Sequence, residues 1–227
     1  MRNDLLEQIV IASGGTVTNK DDRNSLLSDW LAAVSSPKVE VARLDGATQY
    51  WQLSSPIQLD LSGFVFEFDY IVTSQDAING LFSNDKGLGG FSAYERVSSG
   101  RLATFYYETI SGTLNSNLFG SVGSDTGLLT FRFEKVGNDL IVSVGNRAVT
   151  VSSSEFTDNF IMKYLGRVAS LYALGYFKNF RVYNSLGVLT NEIPLTNKMQ
   201  GATQLATVGN VNATMINYTG DEWEVEP

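Results

Sequence analysis

Two carboxylates two residues apart form the pattern in this sequence that is best suited to catalysis. Glu67 and Asp69 lie in the segment GFVFEFDYIV, and alternate residues of a strand share one face of a sheet. Two carboxyl groups about 5–5.5 Å apart can act as acid and nucleophile in retaining glycoside hydrolysis. The chain of 227 residues has no histidine and no cysteine. Their absence excludes a Ser/His/Asp triad and thiolate chemistry, so this pair is the enzymatic alternative to weigh.

Aromatic residues of the predicted strands are candidates for a surface that binds sugars. Tyr106 and Tyr107 are adjacent, so one of the two must face outward from its sheet. An outward ring could stack on a sugar, whereas an inward ring belongs to the core, and both readings stay open for each residue. The residues predicted to contact a glycan are Tyr50, Trp51, Tyr94, Tyr106 and Tyr107.

Acidic residues in predicted loops leave open the possibility of a calcium site. Calcium takes six to eight oxygen ligands, which Asp45, Asp85 and Asp125 could supply in part. The alternative is that these aspartates are solvated turn residues. The sequence therefore predicts no cofactor, with calcium as the exception left open.

Charge and hydropathy limit the partners. The net charge of −8 argues against nucleic acid, because a phosphate-binding surface needs clustered Lys and Arg. No apolar run approaches the roughly 20 residues of a membrane-spanning helix, so we expect no membrane insertion. The first residues lack the basic and apolar regions of a secretory signal, which predicts synthesis in a cytoplasm.

The elements that must position these side chains begin with a doubled helical unit. RNDLLEQI at 2–9 and RNSLLSDW at 23–30 each place an Asn N-cap, Asn3 or Asn24, before an apolar stripe of helical period. Gly14 and Gly15 end the first helix, and Ser35-Ser36-Pro37 ends the second. Helices of about three turns are marginal alone, so each apolar face must be buried.

Two readings of this helical pair stay open. On the first reading the helices pack on the body of the same chain or on each other; on the second they bundle with copies of themselves or dock into a larger assembly. On the second reading the assembly residues are Leu5, Leu6, Ile9, Leu26, Leu27, Trp30 and Leu31.

From Lys38 onward the hydrophobic period changes to two. Phe64, Phe66, Phe68 and Tyr70 fall on one face of a predicted strand. Further strands are predicted at 128–136, 140–144, 147–152 and 174–184, with a turn at 137–139 and a hairpin turn at Gly145-Asn146. Trp223 is predicted to anchor the acidic tail. The sequence predicts a helical domain at 1–36 and a mainly β, two-sheet antiparallel sandwich at 37–227.

Several segments, taken in order, resemble laminin-G-like and concanavalin A-like domains. These are LDGATQYWQLSSPIQLDLSGFVFEFDYIV at 44–72, FEKVGNDLIVSVGNRAVTV at 133–151, LGR at 165–167, GYFKNFRVYNSLGVLTNEI at 175–193 and GNVNATMINYTGDEW at 209–223. The resemblance implies a jelly roll. Glycosidases of this class carry a third acid on the catalytic strand, where this chain has Ile71 and Val72. We therefore expect no enzymatic activity.

The doubled Leu-Leu unit followed by Gly-Gly-Thr resembles the start of many tailed-bacteriophage virion proteins, including fibres, spikes and decoration proteins. This resemblance implies a virion protein that attaches to other capsid or tail proteins or forms a homotrimer through its helices. It also implies a lectin-like domain that could bind host-surface glycan. The alternatives are a stand-alone carbohydrate-binding module and, less favoured, a glycoside hydrolase.

Overall fold

The computed structural model describes residues 3–12, 14–19, 21–35, 39–72, 78–84, 91–97, 101–109, 112–117, 128–145, 147–153, 156 and 160–226. The chain divides into two compact units. One comprises residues 1–39 with 226–227, and the other comprises residues 40–225. None of the described helices has the length and apolar character needed to cross a membrane.

The first unit is a helical pair with its own small core. Helix α1 spans Asn3–Ala12 and helix α2 spans Arg23–Ser35. Leu6, Val10 and Leu26 are buried against one another, and Val17 of the connecting loop packs on them. The apolar stripes therefore meet each other in part, as one of the two sequence readings predicts.

The caps of the two helices differ from the prediction. The backbone amide of Asn24 donates to Oδ1 of Asp22, and α2 already includes Arg23. The N-cap of α2 is therefore Asp22 rather than Asn24, since a carboxylate before the first turn satisfies a free amide there. The side chain of Asn3 donates to the carbonyl oxygen of Asp21 instead of capping α1. The predicted end of α1 is confirmed, because the amides of Gly14 and Gly15 return to the carbonyls of Ile11 and Val10.

The second unit is built of short strands. In chain order they are β1 (Glu40–Asp45), β2 (Tyr50–Gln58), β3 (Gly63–Val72), β4 (Ile78–Ser83), β5 (Ser92–Val97), β6 (Arg101–Thr109), β7 (Gly112–Asn117), β8 (Leu128–Val136), β9 (Asp139–Val144), β10 (Arg147–Ser152), β11 (Ile161–Leu165), β12 (Arg167–Val168), β13 (Leu171–Tyr172), β14 (Leu174–Asn184), β15 (Leu189–Ile193), β16 (Thr203–Gln204), β17 (Ala213–Ile216) and β18 (Trp223–Val225). A short 3-10 helix spans Lys198–Gln200.

Two antiparallel sheets form a sandwich, which confirms the predicted fold class. The first sheet has the strand order β10-β9-β8-β3-β14-β1-β18, with β15 also paired to β14. The second sheet has the order β16-β17-β2-β11-β4-β5-β6-β7. Strands distant in sequence lie side by side in both sheets, as expected for a jelly roll. A separate two-stranded hairpin joins β12 to β13.

The core between the sheets is aromatic. Phe64, Phe66, Phe68 and Tyr70 are all buried on one face of β3, as the alternation predicts. The ring of Phe66 stacks on the ring of Phe133 in β8 with the centroids 4.5 Å apart. Offset stacks and edge-on contacts of this kind add to the free energy gained by burying the rings.

The predicted hairpins and tail anchor are confirmed. Strands β8, β9 and β10 pair consecutively, with a turn at 137–138 between the first two, while Asn146 of the second predicted turn lies outside the described residues. Trp223 is buried in the main core, and its indole nitrogen donates to the hydroxyl of Tyr218. Strand β18 pairs with β1, so the tail closes one edge of the first sheet.

Candidate functional site

The candidate site lies on the face of the second sheet that is turned away from the core. Trp51 of β2 and Leu165 of β11 are buried and oppose each other in register. Tyr50 and Tyr164, their chain neighbours, therefore project to the outer face. The hairpin β12–β13 brings Arg167 and Tyr172 to the same place, where Tyr172 contacts Tyr50.

Glycines allow the hairpin to reach this position. Gly166 has a φ of +79°, and its amide donates to the carbonyl of Leu81, so the chain leaves β11 and turns back over β4. A Cβ at Gly80 of β4 would lie 2.5 Å from the carbonyl oxygen of Leu171 and 2.6 Å from the amide nitrogen of Val168. The hairpin thus rests directly on the backbone of β4, which requires a residue without a side chain.

Two further contacts fasten the hairpin. The hydroxyl of Ser83 donates to the carbonyl oxygen of Arg167 over 2.7 Å, and the side chain of Val168 is fully buried. Beyond the hairpin, the amide of Ala173 donates to the carbonyl of Gly166, which closes its base. Backbone contacts therefore set the position of Arg167 and Tyr172, and rearrangement of the hairpin would break several of them at once.

The four side chains form one cluster around a guanidinium group. The Cζ of Arg167 lies 4.7 Å from the ring centroid of Tyr50, 5.1 Å from that of Tyr164 and 5.9 Å from that of Tyr172. The rings of Tyr50 and Tyr164 meet edge to face with their centroids 5.5 Å apart. The Nζ of Lys163 lies 5.3 Å from the centroid of Tyr164. The four clustered residues are half-buried, so each keeps a surface exposed to solvent.

The cluster offers two kinds of contact to a ligand. Tyrosine rings present an apolar face and a hydroxyl group, which suits a sugar ring with its alternating C–H and O–H groups. The Nε of Arg167 donates to the carbonyl of Ala169 over 3.2 Å, which fixes the plane of the guanidinium. We refer to Tyr50, Tyr164, Arg167 and Tyr172 as the tyrosine–arginine cluster.

The five residues predicted to contact a glycan lie in different environments in the structure. Tyr50 is part of the tyrosine–arginine cluster. Trp51 is fully buried at 0% exposure, so the prediction for this residue is wrong: strand alternation sends its ring into the core. Tyr94 is half-buried, and it alternates with the core residue Ala93, so it projects to the outer face. Tyr106 and Tyr107 lie on β6, whose side chains are outside the described part of the structure.

Sequence reasoning missed three members of the cluster: Tyr164, Arg167 and Tyr172. The triplet LGR at 165–167 contributes to the family resemblance, but nothing in it marks Arg167 as a surface residue. A usable signal lies in the spacing, because Tyr164 and Tyr172 flank a two-residue turn at 169–170 and a glycine precedes Arg167. A hairpin interpretation of 165–173 would have grouped them.

Glu67, the first of the two candidate catalytic carboxylates, is held by cations. Its carboxylate lies 3.2 Å from Arg132 of β8 and 3.8 Å from Arg181 of β14, and it accepts the hydroxyl of Tyr183. These partners lie on the outer face of the first sheet. Arg181 also bonds Glu192, and this hydrogen bond is the main cause that lowers the pKa of the Glu192 carboxyl. Two arginines and a tyrosine therefore already engage the carboxylate oxygens of Glu67.

Both carboxylate oxygens of Asp69, the second candidate, also accept hydrogen bonds. Its Oδ1 accepts the hydroxyl of Thr130 over 2.6 Å, and its Oδ2 accepts the side-chain amide of Asn179 over 2.7 Å. Asn179 has a φ of +54° and sits where the pairing of β14 with β3 shifts register. Asp69 therefore stabilises an irregularity of the sheet, which explains the carboxylate without a catalytic role.

The acidic residues considered for calcium have separate outcomes. Oδ1 of Asp45 accepts the backbone amides of Ala47, Thr48 and Gln49, and its Oδ2 accepts the hydroxyl of Thr48. Burial raises the pKa of Asp45, but these hydrogen bonds outweigh it and lower the pKa overall. Asp85 and Asp125 are outside the described residues. Within the described ranges no group of three acidic side chains could hold a metal ion.

The predicted assembly residues divide into two groups. Leu6 and Leu26 are buried within the helical unit, so their apolar faces are already covered and the prediction that they contact a partner is wrong. Ile9 is half-buried. The exposed members are Leu5, Leu27, Trp30 and Leu31, of which Leu31 is 60% exposed. An apolar surface therefore remains on the helical pair beyond its own core.

Comparison with known proteins supports the fold through structure rather than sequence. No protein-family model matches the chain, and no curated protein matches its sequence. A crystal structure of a Bacteroides ovatus protein, provisionally described as carbohydrate binding, superposes with a TM-score of 0.61 at 12% identity and covers 83% of this chain. This likeness shows the jelly-roll fold alone, because one fold can carry many functions.

Two more distant structures have lower scores. Domains LG4-5 of the mouse laminin α1 chain give a TM-score of 0.47 at 13% identity over 68% of this chain. Tailspike protein 2 of the Escherichia coli O157:H7 bacteriophage CAB120 gives 0.48 at 9% identity over 66% of this chain. The chain spans 60% of the length of the Bacteroides protein, 42% of the laminin segment and 25% of the tailspike.

Proposed function

We propose that this chain is a non-enzymatic structural protein of a tailed-bacteriophage virion, and that its β-sandwich binds glycan on the host surface. The observation that carries the glycan-binding part is the tyrosine–arginine cluster. Three tyrosine rings gather on one outer face of the sandwich, whereas Phe64, Phe66 and Phe68 fill the core. A fixed aromatic surface loses little conformational entropy when a sugar stacks on it.

The clustering itself favours a binding role over a purely structural one. A single surface tyrosine needs no explanation, because much of any protein surface is apolar. Here a dedicated hairpin is seated on Gly80 and delivers Arg167 and Tyr172 beside Tyr50. The hairpin thus brings these side chains together at the surface.

The environment of the carboxylates supports a protein without hydrolase activity. Glu67 is paired with Arg132 and Arg181, and Asp69 is bonded by Thr130 and Asn179. Both carboxylates are engaged by partners within the sheet, whereas the acid and the nucleophile of a glycosidase must face the substrate. We therefore assign both residues to the stability of the first sheet.

The helical unit supports the attachment part of the proposal. Its own core uses Leu6, Val10 and Leu26, while Leu27, Trp30 and Leu31 of α2 remain exposed. Exposed apolar residues on one short helix are typical of a surface that is covered by a partner. In the proposed virion the partners are two further copies of this chain, forming a homotrimer, or capsid or tail proteins. The resemblance of the doubled Leu-Leu unit to the start of virion proteins favours a location in the virion.

A glycan-binding screen of the full chain tests the adhesion part. We expect binding to at least one bacterial surface polysaccharide, and an affinity at least ten times weaker for Tyr50→Ala and for Tyr172→Ala. Tyr183→Ala is the matched control, because Tyr183 is a half-buried tyrosine on the outer face of the other sheet. Running the screen with and without calcium tests the one cofactor left open. Failure to bind any glycan, or equal losses in the control, would contradict the proposal.

A further inference from the structure

One arginine of the sandwich differs from its neighbours in what it contacts. Arg43 pairs with Glu224, Arg132 with Glu67 and Glu134, and Arg181 with Glu192. For Arg167 the described part of the chain supplies aromatic rings and one backbone carbonyl, with no carboxylate in ion-pairing distance. The guanidinium of Arg167 therefore differs from those of Arg43, Arg132 and Arg181, each of which lies beside a carboxylate.

The orientation of this guanidinium is fixed from within the protein. Its Nε donates to the carbonyl of Ala169, and the rings of Tyr50 and Tyr164 lie against the group. No acceptor among the described residues takes the two terminal NH₂ groups. Those two groups form the planar fork that matches the two oxygens of a carboxylate, and holding the fork in place lowers the entropic cost of binding.

The surroundings add a second positive charge. The Nζ of Lys163 lies 5.3 Å from the ring centroid of Tyr164, so two cations flank one tyrosine ring. The guanidinium of Arg167 would attract an anionic ligand. A ligand that fills the site must therefore present an acidic group beside a face that stacks on a tyrosine ring.

We propose that the tyrosine–arginine cluster binds a carboxylated sugar, with its carboxylate on the terminal NH₂ groups of Arg167 and its ring against Tyr50 or Tyr172. The inference rests on the proposed glycan-binding function and names the substrate class of that site. Uronic and sialic acids combine a ring with one carboxylate and meet both requirements. Neutral sugars would use the tyrosine rings and leave the guanidinium donors without a partner.

Calorimetry on the full chain with matched pairs of probes tests the inference. The pairs are trigalacturonate with its methyl ester, and sialyllactose with lactose, because each pair differs in the carboxylate charge or in the acidic sugar. We expect at least one acidic probe to bind ten times more tightly than its neutral counterpart, with the preference weakened by added salt. Arg167→Gln is expected to abolish the preference, and Arg43→Gln is expected to keep it.

Arg167→Lys serves as the second variant, since it keeps the positive charge and the aromatic contacts but removes the fork. We expect it to lose most of the preference while near-ultraviolet dichroism stays that of the wild type. Equal affinity for both members of each pair, or a preference that survives in Arg167→Gln, would overturn the carboxylate inference and leave glycan binding intact. Absence of binding to every probe here and in the wider glycan screen would overturn both.

Discussion

The guanidinium carbon of Arg167 lies 4.7 Å from the ring centroid of Tyr50, although the two residues belong to distant segments of the chain. Tyr50 begins β2, and Arg167 begins the hairpin that crosses the outer face of β4. Their meeting depends on the hairpin position, which depends in turn on Gly80. The candidate site can therefore be tested at a residue that touches no ligand.

Gly80→Ala is expected to damage the site through the hairpin. The new methyl group would lie 2.5 Å from the carbonyl oxygen of Leu171, so the hairpin must lift from β4. We expect the free energy of unfolding to fall by about 1–3 kcal/mol, as for other overpacked sites. Glycan affinity should fall at least tenfold, measured by calorimetry below the unfolding transition.

Gly137→Ala is the matched control for this variant. Gly137 has a φ of +58° and nothing within 4 Å of its would-be Cβ, so alanine there adds backbone strain without a clash. We expect it to cost about 1 kcal/mol of stability and to leave glycan affinity unchanged. If Gly80→Ala binds glycan like the wild type, the hairpin does not position the site.

Glu67→Gln is expected to affect stability modestly and catalysis not at all. Glu67 joins Arg132 and Arg181, but both arginines are partly exposed, so the loss should be about 0.5–1 kcal/mol and smaller in high salt. Urea denaturation at two salt concentrations measures it, with Glu134→Gln as the control that removes a single pair with Arg132. Release of reducing sugar by the wild type, abolished in Glu67→Gln, would revive the hydrolase reading.

The pH dependence of stability should report on Glu222. Its carboxylate accepts the amides of Thr219 and Gly220 and the side-chain amide of Gln49. Burial raises the pKa of Glu222, but the hydrogen bonds outweigh it and lower the pKa below the ordinary value of 4.5. A lowered native pKa stabilises the fold fully above the unfolded pKa, and that stability is lost as the pH falls through the native value.

Glu222→Gln should therefore flatten the acid limb of the stability curve. At neutral pH the variant is expected to lose about 1–3 kcal/mol, because an amide cannot accept all of these hydrogen bonds. Between about pH 6 and pH 3 its free energy of unfolding should fall less steeply than that of the wild type. Asp221→Asn removes an exposed acid of the same turn and controls for net charge. Parallel curves for Glu222→Gln and wild type would contradict this role.

The sandwich could be predicted from sequence because its signals are local. Alternating residues such as Phe64, Phe66 and Phe68 fix which face of β3 is buried, and Gly145 marks a hairpin between β9 and β10. Trp51 is a residue for which this local signal is not enough. The sequence does not tell whether the sheet face that carries an aromatic residue is buried in the core or exposed to solvent. Pairing with β11, which is distant in the chain, decides the matter.

The site could not be predicted because it depends on contacts between distant segments. Arg167 becomes a surface cation among tyrosines only when its hairpin lies on Gly80, and neither residue predicts the other in sequence. The predicted N-cap of α2 was wrong for a more local reason. Asp22 and Asn24 are both good capping residues two positions apart, and the hydrogen bond from Asn24 to Asp22 selects between them.

The exposed apolar residues of α2 give the last prediction, which concerns assembly. Leu27, Trp30 and Leu31 lie outside the core of the helical unit, so charging this surface should break a homotrimer without unfolding the chain. We expect light scattering coupled to size exclusion to give a trimer for the wild type and a monomer for Leu27→Asp with Leu31→Asp. Leu186→Asp is the control, because Leu186 is 84% exposed on the turn after β14. A wild-type monomer, or a trimer that persists in the double variant, would show that these residues do not form a trimer contact.

In the monomeric double variant, glycan affinity per chain should stay that of the wild type, because the tyrosine–arginine cluster lies wholly within residues 40–225. Binding to a polysaccharide with many repeats should weaken, since one chain cannot engage several repeats at once.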